Sequence, residues 1–112
     1  MRFILLALAV GCGGSPVEWA GKWRQPAGLP AGSYVECMLG GGGTTITGSG
    51  IQHREAGTDL AFTVAGTSAR APGVGVTFTY EGGTTEGFSF DQPDSNHITL
   101  ANPQRTVDLA RQ

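Results

Sequence analysis

"VTFTYEGGTTEGFSFD", residues 76–91, is the stretch that decides the fold. Val76, Phe78 and Tyr80 alternate with Thr77 and Thr79, and further on Phe88 and Phe90 alternate with Ser89 and Asp91. A period of two sends one set of side chains to each face of an extended strand, the pattern of a sheet with one buried and one wetted side. Gly82 and Gly83 stand between the two runs and reach positive φ without a steric penalty, so a tight hairpin is expected there.

The same rhythm runs outward in both directions. "DLAFTVAG" (59–66) sets Leu60, Phe62 and Val64 against Ala61, Thr63 and Ala65. In "SYVECMLG" (33–40) Glu36 assigns its own parity to water, which turns Val35, Cys37 and Leu39 inward. Gly40 to Gly43 read as a loose turn into "TTITGSGIQH" (44–53), where Ile46 shares a face with Gly48 and Gly50. Glycines within a strand mark bends or close backbone approach, which a closing sheet needs. "GKWRQ" (21–25), "NHITLA" (96–101) and "RTVDLAR" (105–111) bring the count to about eight strands.

Turn signals recur every 8 to 12 residues, and no run beyond the N-terminal segment has a sustained helical period, which excludes parallel α/β architectures with crossover helices. Short connections make neighbours antiparallel. Eight strands with a single apolar face bury it by closing on themselves, with two packed sheets as the alternative. The expectation is an all-β chain whose residues 21–112 form an eight-stranded antiparallel up-and-down β-barrel.

Composition sets the outer bounds. One domain fits in 112 residues, and 19 glycines with 14% charged residues describe neither a disordered acidic tail nor a basic nucleic-acid binder. Seven Lys and Arg face nine Asp and Glu with no basic cluster, so a nucleic-acid partner is excluded.

The N-terminal residues have another character. Arg2 is followed by eight apolar residues, Phe3 to Val10, and the small Gly11 precedes Cys12. This is the layout of a secretory signal, and it is far short of the ~20 apolar residues that span a bilayer. Through Leu8, Ala9, Val10, Gly11 and Cys12 the segment resembles bacterial lipoprotein precursors. That resemblance implies removal of 1–11, lipidation of Cys12, a tether over 12–20, and a mature chain anchored to the cell envelope by its lipid. Gly13 is not the aspartate that retains some such lipoproteins at the inner membrane, so the resemblance implies the outer membrane where the envelope has two. With Cys12 consumed, Cys37 has no disulfide partner, and its inward parity makes it a buried, inert thiol.

Gly21-Lys22-Trp23 on the first strand, with "TTITGSG" on a later one, resembles lipocalin-type and avidin-type barrels. The resemblance implies that the tryptophan plugs one barrel end. The first strand is also similar to that of bacterial metalloprotease inhibitors, small exported barrels.

The candidate ligand site is the barrel interior. Trp23, Phe62, Phe78, Tyr80, Phe88 and Phe90 face inward with Ile46, and Gly48 and Gly50 leave one level of the wall bare, where a pocket is expected. Six aromatics are also enough to fill a small lumen. His53 and His97 stand in or beside turns near acidic residues and read as solvated loop groups. An enzyme would require one of them to meet a carboxylate in a cleft. "DQPDSNH" (91–97) is explained by Asx turns rather than by calcium. No catalytic residue, metal site or cofactor is expected.

Two functions follow. One is a lipid-anchored envelope module binding a small apolar ligand or a protein partner. The other is a structural or inhibitory interaction protein with a filled barrel, acting through the loops "TSARAPGVG" and "DQPDSNH".

Overall fold

The computed structural model describes residues 17–26, 33–54, 57–69 and 75–112. The leader and Cys12 lie outside this set, as does most of the "TSARAPGVG" loop. Eight strands follow in chain order: β1 (Gly21–Arg24), β2 (Tyr34–Gly42), β3 (Thr45–His53), β4 (Leu60–Thr67), β5 (Gly75–Tyr80), β6 (Thr85–Asp94), β7 (His97–Ala101) and β8 (Thr106–Arg111). Each pairs antiparallel with the next, and β1 pairs with β8 to close an all-β, up-and-down barrel.

The two-residue rhythm becomes burial directly. Val35, Cys37 and Leu39 are buried while Met38 is exposed, and on β5 Val76, Phe78 and Tyr80 are buried while Thr77 and Thr79 are exposed. Gly82 and Gly83 adopt φ of 95° and 97° in the turn between β5 and β6. Fully burying a Val, Leu, Ile or Phe contributes about 1.5–3 kcal/mol, and seven side chains here lose nearly all contact with solvent. With Cys37 a free thiol, no disulfide bond ties the described residues together, so this packing holds the domain.

Three stretches differ from the sequence reading. Gly40 to Gly42 continue β2, pairing with Thr47, Ile46 and Thr45, because a backbone ladder needs no side chain; the turn shrinks to Gly43-Thr44. "DQPD" extends β6 rather than forming a loop, with a register shift between Asp91 and Asp94 around Pro93, which has no N–H to give a ladder. The third lies in the proposed tether. Trp19 is 6% exposed and Val17 packs on the core, so the apolar members of this Gly- and Pro-bordered run join the domain.

The ends of the barrel are built differently. At the lower end, where β1 begins and β8 finishes, Trp23 is 1% exposed and its Nε1 donates to the Trp19 carbonyl at 2.8 Å. Trp19 Nε1 donates to the Gly40 carbonyl at 2.7 Å, and the Arg111 guanidinium lies 4.4 Å from the centre of the Trp23 ring. Arg111 also donates to the carbonyls of Glu18, Ala20 and Ser95.

At the upper end Arg105 spans the mouth. Its Nε and Nη2 grip Glu86 at 3.0 and 2.8 Å, Nη2 reaches the Tyr80 hydroxyl at 3.0 Å, and Nη1 reaches Gln52 Oε1 at 2.8 Å. Tyr80 donates to Glu86 at 2.6 Å. Burial pushes the Tyr80 hydroxyl well above its usual range, reinforced by the Glu86 acceptor. Burial also raises the Glu86 carboxyl, but hydrogen bonds from Arg105, Tyr80 and Asn102 outweigh it and leave a net lowering.

Candidate functional site

All the interior candidates point inward, and they meet one another. Phe62 stacks on Phe78 with centroids 4.2 Å apart, Phe78 meets Phe88 at 4.8 Å, and Tyr80 meets Phe62 edge-on at 5.7 Å. Trp23 and Ile46 are fully buried, and Phe90 is half-buried against Trp19. Beside Gly48 and Gly50 the inner side of the wall is occupied, while Gly50 also lines the groove described below. A side chain added at Gly48 would meet Leu39 Cδ2 at 2.8 Å, and one added at Gly50 would meet Phe62 Cζ at 2.7 Å. Leu39 and Phe62 fill the space the glycines leave, so at this level the missing side chains admit neighbours rather than a ligand.

Open space lies along the same wall. A groove of about 880 Å³ runs across β1 to β5, lined mainly by outward-facing residues and also by Trp23, Cys37, Gly50, Phe62 and Tyr80 of the inward parity. Its apolar floor is Met38, Ile51 and Ala61, crossed by the hydroxyls of Ser49, Thr63 and Thr79. These rows follow from register: Lys22 pairs with Met38, Met38 with Ser49, Ser49 with Thr63, and Thr63 with Thr79. Met38 is 52% and Ile51 38% exposed, and they are the exposed large hydrophobics among the described residues. Lys22 and Arg24 stand along β1, and Glu81 stands on the far wall, where its Oε2 accepts from the Ala61 amide at 2.8 Å.

His53 stands at the upper end of the barrel beside Glu36 and is not a solvated loop residue. It ends β3, its side chain is 22% exposed, and its ring stacks on Tyr34 at 4.3 Å. Nε2 lies 3.0 Å from Glu36 and Nδ1 3.0 Å from Asp59. The Glu36 acceptor chiefly raises the imidazole pKa, against burial, with Asp59 adding to the rise. Both ring nitrogens are thus engaged by carboxylates of the protein itself. His97 is exposed and bound to Asp94, whose Oδ1 also accepts from the Asn96 amide in an Asx turn.

Cys37 is buried, and burial together with the neighbouring Glu36 charge pushes its thiol up to about 12, so it stays protonated and unreactive. Among the described residues, no group of three His, Cys, Asp or Glu side chains is placed to hold a metal ion, and no helix is long and apolar enough to cross a membrane.

Trp23, Gly50, Phe62 and Tyr80 of the expected set contribute to the groove's lining, but its outward-facing residues were missed because the reading followed the inward parity. The signal present was a large apolar residue at outward parity on each of two neighbouring strands, Met38 and Ile51. Comparison with known proteins returns no matching family model, no similar curated protein and no similar solved structure.

Proposed function

We propose that this protein is an exported envelope lipoprotein, held on a membrane by lipid on Cys12, whose barrel is a binding module for a small apolar ligand. The observation that carries the reading is the contrast between an interior packed with aromatics and an outer groove that keeps Met38 and Ile51 in water. Exposed apolar side chains gathered in one concavity mark a contact surface. In this reading the interior candidates Trp23, Ile46, Phe62, Phe78, Tyr80, Phe88 and Phe90, with Gly48 and Gly50, build the scaffold, and no catalytic group or cofactor takes part.

The anchoring half is tested by mass spectrometry of the mature N-terminus. An acylated Cys12 supports it, as does loss of membrane attachment in Cys12→Ser; an intact leader on a freely soluble chain overturns it. The binding half is tested with Nile red, an uncharged apolar dye. Saturable fluorescence enhancement that disappears in Met38→Asp supports the groove, and enhancement untouched by that change overturns it.

The filled interior also favours the second reading, an inhibitory interaction protein. Inhibition of a metalloprotease by the full chain, lost on altering the 91–97 turn, would select it.

A further inference from the structure

Two anomalies of the surface fall in one place. The first is the pair of exposed large hydrophobics, Met38 and Ile51. The second is Lys22. Among the described cations, Arg24 lies over the Tyr34 ring, Arg54 donates to the Thr58 carbonyl, Arg105 grips Glu86, and Arg111 is bound to carbonyls. The Lys22 ammonium has no partner among the described residues. It stands on the groove wall in register with Met38.

The acidic residues of the groove are already engaged. Glu36 faces His53, and Glu81 accepts from Ala61 on the opposite wall, four strands from β1. The groove therefore presents a free positive end at β1, an apolar floor, a line of hydroxyls and an acidic far side. A ligand complementary to it carries one negative group at one end of an apolar body.

We propose that this groove binds a single-chain anionic amphiphile, a long-chain carboxylate, with its head group at Lys22 and its chain along Met38, Ile51 and Ala61. The proposal rests on the reading of the barrel as a binding module and names its ligand class. Its volume, about 880 Å³, lies within the range of small-molecule sites. The cation steers and orients, while the floor supplies most of the affinity, because an exposed ion pair is weak and buried methylenes are not.

The test uses the full chain carrying Cys12→Ser, titrated with dodecanoate below its micelle concentration and followed by amide NMR and calorimetry. Expected is one saturable site, with the largest shifts at Met38 and Ile51. Octanoate should bind more weakly by about twofold per methylene removed, half the value for full burial because one side of the groove stays wet. Dodecyltrimethylammonium, with the opposite head charge, should bind about tenfold more weakly, since attraction becomes repulsion. Lys22→Glu should reverse that preference, and Ile51→Asp should weaken both probes, with near-UV dichroism confirming that each variant folds.

Equal binding of the two head groups, insensitivity to Lys22→Glu, shifts centred on Phe78 and Phe88 inside the barrel, or binding only to vesicles of anionic lipid would each overturn the proposal. Nile red binding without dodecanoate binding would leave the groove reading standing and remove only the ligand class.

Discussion

The lower and upper ends of the barrel solve one problem with different chemistry. Each must seal an apolar lumen, and each receives an arginine from the β8 segment: Arg111, the last residue of β8, below, and Arg105, just before its start, above, six residues apart and both at the inward parity of Val107 and Leu109. Below, the guanidinium covers an indole and donates to backbone carbonyls, acceptors that do not titrate. Above, it holds a carboxylate and a phenol, both of which do. A seal made from backbone is indifferent to pH, whereas one made from Glu86 is not.

The sharpest way to break the comparison is at the lower end. Trp23→Ala should cost about 3–5 kcal/mol, the range for truncating a buried aromatic, read as a lower guanidinium midpoint at unchanged slope. Arg111→Met should cost about 2 kcal/mol through the lost ring contact and carbonyl bonds, and that cost should stay constant from pH 8 to pH 4.

Arg105→Met should cost less, about 1–2 kcal/mol at neutral pH, because Glu86 is 24% exposed and water takes over part of its charge. This cost should also vary with pH. The Glu86 pKa is lowered in the folded state, so its contribution is present above the ordinary glutamate value of about 4.3 and is lost as pH falls through the lowered value. Urea titrations of Arg105→Met against wild type should therefore converge in acid, while those of Arg111→Met stay parallel.

The smallest effect is expected at the upper rim. The folded-state pKa of His53 is raised, so its contribution is complete below the ordinary imidazole value of about 6.5 and fades as pH climbs through the raised one. His53→Gln should lower the melting temperature slightly at pH 5.5 and hardly at pH 9, a difference readable by calorimetry.

The architecture was legible because alternation is a local signal. Phe62, Phe78 and Phe88 announce their parity within a few residues, and Gly82-Gly83 announces its turn. Trp19 was not legible in this way: no period surrounds it, and its burial depends on Gly40 and Phe90, which only closure of the barrel brings near. The roles of Arg105 and Arg111 depend on the register, which sets one against Glu86 and the other against Trp23. Gly48 and Gly50 stood out in the sequence as positions without side chains, but what packs beside them, Leu39 and Phe62, is a matter of contacts across strands. The groove is less legible still, since it arises from how five strands coil together. Sequence offered only its two conspicuous side chains.

The closing joint between β1 and β8 is short, with Trp23 opposite Arg111 and Arg24 opposite Ala110. These partners come from the first and the eighth strand. A protein is made from its N-terminus onward, so as synthesis proceeds the first strand must wait, one flank unmatched, until the eighth has been made. Every intermediate length is an unfinished ring with two raw margins, each a template for another chain's backbone. For this molecule the arrival of β8 removes both margins at once.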